Sequence, residues 1–285
     1  MTETEALLLA MHEADAAIHG AVGAALPALA RAADAITSRL DAGGRWIYVG
    51  AGTSGRLGAL DAAELPPTFG TDPSLVVALL AGGRSAMFEA VEGAEDDAGA
   101  GARDLAAAGA SERDAVVGIA ASGATPFVRG ALKEARARGA LTVAVVCRPG
   151  APLLAESDIG VLLDTGPEVL AESSRLKAGT AQKIALNMLS TAVMAKRGLV
   201  YEGEMVAMRP TNEKLRRRAV RIVARLAETS EEKAEDLLRR CGWRLPVALV
   251  SAKWGLDASA ASLYLSKQNS NVAAALSQPP EVGRG

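Results

Sequence analysis

The sequence of 285 residues is poor in cysteine, in histidine and in net charge, and each shortage removes a class of function. Its two cysteines, Cys147 and Cys241, cannot make a disulfide framework, and Cys147 lies in an apolar run that reads as a buried strand; a reducing compartment fits. The two histidines, His12 and His19, stand seven apart on an Ala-rich stretch without cysteines or a carboxylate pattern beside them, so no metal site is expected. A net charge of -2 and a pI of about 5.9 leave no basic field, and nucleic acid is not an expected partner. The one basic cluster, Arg216-Arg217-Arg218, reads as a solvated helix face. No basic patch followed by an apolar stretch opens the sequence, so no signal peptide is visible. No uncharged apolar run reaches the ~18 residues of a membrane span, so no membrane partner is expected. Internal repeats and low-complexity tracts are absent as well.

What is present is core-forming material. Hydrophobic residues make up 49% and charged residues 22%, enough to bury a sizeable core. At about 150 residues per domain, the length suits one large domain, alone or with a small one. Residues 1–41 form a helical segment in which Leu7, Leu8, Met11, Ala14 and Ile18 recur at helical spacing. Gly20 and Pro27 are expected to break or kink it. Short β-branched and apolar runs then appear at Trp46–Val49, Leu75–Leu80, Ala115–Ile119, Leu141–Val146 and Gly160–Leu163, mostly separated by helical patterns. Strands alternating with helices imply crossover connections and a parallel sheet. The expected fold is therefore α/β, a doubly wound five-stranded parallel sheet over residues 42–227, with ligands at the carboxyl ends of its strands. After about residue 210 strand signals stop. Thr229-Ser-Glu-Glu232 reads as a capping box, Gly242 as a helix end, and Pro246–Lys253 and Ala258–Gln268 as further helices of a small helical subdomain at 228–278. The tail, 279–285, is expected to fray.

Three loops carry anion-binding chemistry. Ile47-Tyr-Val-Gly-Ala-Gly-Thr-Ser-Gly-Arg56 runs strand, glycine-rich turn, helix. Gly52 and Gly55 let the backbone approach an anion, the helix-start N–H groups and dipole favour it, and Thr53 and Ser54 add hydroxyls. Gly50, Gly52 and Gly55 also match the dinucleotide spacing, but hydroxyls fill the spacer positions and the next strand ends in Leu-Ala-Gly-Gly, without the acidic ribose ligand. No Gly-Lys-Ser/Thr follows, which excludes a P-loop. The second loop, Ala120-Ala-Ser-Gly-Ala-Thr-Pro126, follows the third strand; Ser122, Gly123 and Thr125 repeat the logic, with ordinary helix capping as the alternative. The third, from Pro167 to Lys183, sets Ser173 and Ser174 at a helix start ahead of Arg175 and Lys177. Hydroxyl-rich loops after different strands of one sheet suit a single phosphate gripped from several sides.

Together these loops resemble those of the sugar isomerase domain family. Longer strings narrow the resemblance. Gly50-Ala-Gly-Thr-Ser-Gly-Arg-Leu-Gly58, Asp61-Ala-Ala-Glu-Leu-Pro-Pro-Thr-Phe-Gly70, Ala90-Val-Glu-Gly-Ala-Glu-Asp96, Arg175-Leu-Lys-Ala-Gly-Thr-Ala-Gln-Lys183, Asn187-Met-Leu-Ser-Thr191 and Thr211-Asn-Glu-Lys-Leu215 are similar to N-acetylmuramic acid 6-phosphate etherases. The likeness covers roughly residues 10–275. Glucokinase regulatory protein is a relative that binds sugar phosphates without this chemistry. The resemblance implies a bacterial, cytoplasmic, homodimeric enzyme with a small-molecule sugar phosphate as substrate and no cofactor or metal. It assigns catalysis to Glu64, as proton donor, and to Glu95. A segment with a Thr-Glu-x-Arg-Asn-Pro string, usual at the start of family members, is not found here. Glu172-Ser173-Ser174 stands where the family has Gly-Ser-Thr, and Tyr201-Glu-Gly-Glu-Met205 also differs.

The chemistry the resemblance implies needs a base, an acid and an open-chain sugar. In the open form C2 lies beside an aldehyde, its proton is removable, lactate leaves from C3, and water adds to the unsaturated aldehyde. Two carboxylates suffice if one holds a proton. Glu64 is expected at a helix end stopped by Pro66 and Pro67, where the dipole opposes its charged form. Glu92 and Glu95 share a face if their stretch is helical. Ser54 and Glu64, ten residues apart on one helix, are about 15 Å apart by its rise, more than a hexose phosphate spans. That distance suggests a site at a dimer interface, with phosphate loops and Glu64 from different subunits. A non-catalytic sugar-phosphate regulator and an aldose–ketose isomerase are the alternative readings.

Overall fold

A computed structural model describes residues 2–280. Five strands, β1 (Trp46–Gly50), β2 (Val76–Leu80), β3 (Ala115–Ile119), β4 (Leu141–Val146) and β5 (Ile159–Leu162), form one parallel sheet in the order β2-β1-β3-β4-β5. β1, β3 and β4 are buried throughout, as a sheet covered on both faces requires. Ile47, Val49, Val116, Ala144 and Val146 share one apolar cluster with Leu105 of α4 (Ala98–Ala107), Phe127, Val128 and Leu132 of α5 (Pro126–Ala137) and Leu153 of α6 (Pro152–Glu156). Side chains alternate along a strand, so Trp46 and Tyr48 face the other way. The long helix α2 (Ala17–Asp41) packs against β3, β4 and β5.

The N-terminal helical stretch is interrupted, but neither at Gly20 nor at Pro27. It divides at Ala16, between α1 (Glu3–Asp15) and α2. Both expected breakers lie inside α2, which buries Ile18, Val22, Ala25, Leu29, Ile36 and Leu40. This burial outweighs the hydrogen bond lost at Pro27. Within Glu3–Asp41 an 18-residue window reaches a mean hydropathy of 1.2, so by length and composition alone the stretch could cross a membrane. In α2 that apolarity belongs to the stripe turned to the core. His12 and His19 fall on different helices, and no cluster of three potential metal ligands occurs among the described residues.

The chain divides into two compact units. The first combines Pro73–Val193 with the chain up to Ala63 and contains the sheet. The second combines Glu64–Asp72 with the chain from Met194 onward. It therefore starts well before residue 228, where the helical subdomain was placed from the sequence. In it, Gly70 approaches Ala207 so closely that a Cβ would stand 2.1 Å from its carbonyl oxygen. Val206, Met208, Val220, Val223, Leu238, Leu245, Val250 and Leu265 form the core. Its helices are α8 (Glu213–Leu226), α9 (Glu231–Arg240), α10 (Leu245–Trp254), α11 (Ala258–Lys267) and α12 (Val272–Ser277). Ser230, not Thr229, caps α9, accepting from the Lys233 N–H, and Gly242 follows that helix with φ 62°. Arg217 pairs with Glu213 one turn away, and Arg216 lies 5.0 Å over the Trp243 ring, so the arginine run does line a helix surface. The divergent stretch at 201–205 belongs to a hairpin, β6 (Val200–Tyr201) and β7 (Glu204–Met205), which the sequence reading did not anticipate. Of the tail, residues 281–285 lie outside the described residues.

Candidate functional site

The sheet order reverses direction between β1 and β3. The chain leaves β1 for β2 on one side and places β3 and its successors on the other. At such a switch point the loops after the two strands part and leave a crevice at their carboxyl ends. The first and second hydroxyl-bearing loops are the ones that border it.

The first loop is built by a close backbone crossing. β1 ends at Gly50, and α3 (Gly52–Phe69) begins two residues later. A Cβ on Gly55 would lie 2.6 Å from the Gly50 carbonyl oxygen and 2.2 Å from Leu80 Cδ1. Only glycine lets the first turn of α3 sit this near the sheet. Gly52 takes φ 51°. Thr53 is half-buried, while Ser54 is buried and its Oγ donates to Gln182 Oε1 at 2.8 Å.

In the second loop Gly123 takes φ 63° and its carbonyl accepts from the Leu153 N–H. Ser122 Oγ accepts from the Ala124 N–H at 3.2 Å, closing a local turn. Thr125 precedes α5, yet its side chain makes no capping bond, so helix capping does not account for its hydroxyl.

The third segment leads into α7 (Lys177–Lys196). Ser173 and Ser174 lie in the turn before the helix rather than at its first residue. The helix N-terminus is capped by Glu168, whose carboxylate accepts from the N–H groups of Lys177 (3.3 Å) and Ala178 (2.9 Å). Lys177 is buried. Thr53 and Ser174 both border Gly179, each 3.2 Å from where its Cβ would be, so the first and third segments meet. Glu172 is exposed at φ 64°, a conformation suited to the glycine found there in the resembling family.

Below the crevice α3 and α7 are tied by one buried carboxylate. Asp61 Oδ2 accepts from Tyr48 Oη (2.8 Å), and Oδ1 accepts from Asn187 Nδ2 (2.7 Å) and Ser190 Oγ (3.1 Å). Burial raises its pKa, against the lowering effect of these bonds and of Lys183. The Tyr48 hydroxyl is pushed well above its ordinary value by its own burial and by the neighbouring Asp61 charge. Cys147 lies just past β4, its thiol directed at the Ala178 carbonyl (3.7 Å), and burial pushes it up to about 12. A thiol so poorly ionised is no nucleophile.

The two glutamates sit differently from expectation. Pro66 and Pro67 do not stop the helix: α3 continues to Phe69, and the Gly70 N–H still bonds to the Pro66 carbonyl. Glu64 is thus in the penultimate turn, and it is exposed. Glu95 lies in a short 3-10 turn, Ala94–Asp96, preceded by Gly93 at φ 72°, so Glu92 and Glu95 share no helical face. Glu95 is exposed as well. Arg56, in the second turn of α3, is half-buried. Its Nε donates to the carbonyls of Ala86 and Met87, and Nη2 donates to that of Glu89, so α3 anchors the segment leading to Glu95.

Gln182, Glu168 and Asp61 were not singled out from the sequence. Asp61 and Gln182 fall inside the family-like strings, which was the available signal.

Comparisons with known proteins show the family and the fold. The pattern of the glucokinase regulatory protein N-terminal SIS domain matches residues 28–136, and that of the SIS domain matches residues 95–192. The N-acetylmuramic acid 6-phosphate etherases of Salmonella schwarzengrund (strain CVM19633) and Salmonella typhi are each 50% identical over 273 residues, 96% of this chain and 92% of theirs. Among solved structures, a phosphoheptose isomerase from Francisella tularensis aligns with a TM-score of 0.50 at 22% identity, covering 68% of this chain and 98% of its own. A phosphoheptose isomerase from Neisseria gonorrhoeae aligns with a TM-score of 0.51 at 21% identity, covering 67% of this chain and 99% of its own. These structures share the fold of the sheet-containing part.

Proposed function

Because the chain belongs to the N-acetylmuramic acid 6-phosphate etherase family, we propose that it cleaves the D-lactyl ether of N-acetylmuramic acid 6-phosphate. Water is consumed, and N-acetylglucosamine 6-phosphate and D-lactate are formed. The chain is an enzyme, a carbon–oxygen lyase of amino-sugar metabolism, and its ligand is a small-molecule sugar phosphate. The observation that carries the reading is half-identity to such etherases along 96% of the chain.

The phosphate is held by Gly52, Thr53, Ser54 and Gly55 after β1 and by Ser122, Gly123 and Thr125 after β3, with Ser173, Ser174 and Lys177 completing the cradle. Helix-start N–H groups and hydroxyls suit a dianion. With the sugar open, one carboxylate removes the C2 proton. The electron pair moves to form the C2–C3 double bond, and the C3–oxygen bond breaks as lactate departs with a proton from the other carboxyl. Water then adds at C3, and a proton returns to C2. We assign the donor's role to Glu64 and the base's role to Glu95. The route is redox-neutral and proton-balanced, so a carboxylate pair is enough to run it.

A carboxyl that must keep its proton at neutral pH needs dry or anionic surroundings. Glu64 and Glu95 are exposed in the single chain, and exposed apolar residues accompany them. Leu60, one turn before Glu64, is 44% exposed; Phe88 and Val91, ahead of Glu95, are 88% and 42% exposed. This supports a homodimer in which a second subunit covers the glutamates and completes the site. A cytoplasmic location accords with such a substrate and with two buried free thiols.

Incubation with N-acetylmuramic acid 6-phosphate followed by a D-lactate assay tests the function. Lactate release is expected; its absence, with isomerisation of glucosamine 6-phosphate or fructose 6-phosphate instead, would return the chain to the isomerase reading. Mixing Glu64→Gln subunits with Ser54→Ala subunits tests the shared site, because complementation restores one intact site per mixed dimer. No recovery in the mixture refutes it.

A further inference from the structure

Gln182 lies in the second turn of α7 with 0% exposure, and its side chain's only hydrogen bond among the described residues is the one to Ser54. Its Nε2 is a buried donor without a partner among those residues. Such a group is costly, because water has been stripped from it and nothing replaces it. The acceptor end of the carboxamide faces Ser54, and this has a second consequence. A serine hydroxyl carries one proton. In this arrangement that proton is given to Gln182, so Ser54 has none to offer an anion in the loop.

Half a turn about the last side-chain torsion resolves both problems. The two ends of a carboxamide are nearly the same size, so the rotation needs little space. Nε2 would then take the place of Oε1 and donate to Ser54 Oγ over the same 2.8 Å. The Ser54 proton is freed to turn into the loop. The buried end left over becomes a carbonyl, which tolerates under-satisfaction better than an N–H donor does. Thr53 packs beside Gly179, one turn before Gln182, so the two helix starts are already held together.

We propose that Gln182 is a positioning residue for the substrate's phosphate, donating from Nε2 to Ser54 Oγ so that the Ser54 hydroxyl directs its proton at a phosphate oxygen. This rests on the reading of the β1 loop as the phosphate site. Gln182 itself touches no substrate atom.

The experiment measures KM and kcat for D-lactate release, and inhibition by inorganic phosphate, in Gln182→Met, Gln182→Glu, Ser54→Ala and the double variant Ser54→Ala with Gln182→Met. Met has similar length and cannot donate; Glu is nearly isosteric, accepts only, and so retains the Ser54 proton. One lost bond to a charged group predicts a rise of about ten- to a hundredfold in KM and in the phosphate inhibition constant for Gln182→Met, with kcat little changed. Gln182→Glu should exceed it. In the Ser54→Ala background Gln182→Met should add nothing further, a coupling that a purely structural role would not produce. An undiminished effect of Gln182→Met in that background overturns the proposal, as does a Gln182→Glu enzyme with wild-type KM. If Ser54→Ala alone leaves KM and phosphate inhibition unchanged, the phosphate-loop reading falls and the proposal with it. If Ser54→Ala raises both while neither Gln182 variant does, only the proposal falls.

Discussion

Gly55→Ala tests whether the phosphate loop is held in place by the contact between β1 and α3. The added Cβ would stand 2.6 Å from the Gly50 carbonyl oxygen, a backbone atom, and 2.2 Å from Leu80 Cδ1. The leucine methyl can rotate away, whereas the carbonyl is fixed, because it accepts from the Ala81 N–H at 3.0 Å. Relief therefore requires α3 to lift from β1 by about half an ångström or more. Overpacking of this kind costs about 1–3 kcal/mol. Alanine's helix propensity offsets up to about 1 kcal/mol of that. The net loss of about 1–2 kcal/mol corresponds to a fall in Tm of about 2–8 °C for a chain of this size, readable by differential scanning fluorimetry. The functional effect should be larger than the stability effect, because the lift displaces Thr53 and Ser54 together. Loop hydroxyls out of place by this much predict a KM increase of about tenfold or more. Gly52→Ala is the control: φ 51° strains it, but its Cβ meets nothing within 4 Å, so the helix stays in place. A Gly55→Ala enzyme with wild-type Tm and KM would refute the reasoning.

Three further outcomes are expected. Glu64→Gln and Glu95→Gln should each lower kcat for lactate release by about a hundredfold or more, with KM nearly unchanged, since a neutral amide keeps the contact and loses the proton transfer. Asp114 is buried, which works against its ionisation, but the N–H groups of Arg45 (2.7 Å) and Ser111 (2.9 Å) and the Arg45 guanidinium hold its carboxyl below the usual range. A depressed folded-state pKa means stability that is present above the unfolded value of about 4 and lost as pH falls through the folded one; Asp114→Asn should cost about 1–3 kcal/mol at neutral pH and flatten the acid limb of a Tm–pH curve. Glu172→Gly should raise stability by about 0.5–1 kcal/mol in urea titration, because it relieves a left-handed residue at φ 64° at the expense of some chain entropy.

The sheet was legible because buried parallel strands leave an unmistakable pattern, short β-branched runs closed by Gly, Pro or Asp, and each of the strands begins within one residue of where its run begins. Breakers were read too strictly. Pro27, Pro66 and Pro67 all sit inside helices, since the apolar face of α2 and the Phe69 and Leu65 burial in the last turns of α3 outweigh a missing donor. Elements of one or two turns, such as α12 and the β6–β7 hairpin, are too short to show a period. The cap of α9 slid by one residue because both Thr229 and Ser230 can cap a helix; Ser is the stronger cap, and a start there buries Ala234 and Leu238.

The same distinction separates the halves of the site. The phosphate loops depend on local chemistry: a glycine where backbones cross, a hydroxyl beside it, a helix start facing outward. In the first loop all of that is written in ten consecutive residues, 47–56. The glutamates depend on surroundings that no short string encodes. Glu95 stands on a 3-10 turn whose approach is fixed by Arg56, thirty-nine residues earlier in the chain, through three carbonyls. Glu64 is exposed one turn after the exposed Leu60, and nothing in the short string around it encodes what would cover that surface. On the proposed assignment, the phosphate is bound by parts that each chain carries ready-made, while the acid–base pair works only once a second subunit covers it. For the proposed elimination, which passes through a reactive unsaturated aldehyde, that order is the useful one: the intermediate would form away from bulk solvent and meet only the water that adds at C3.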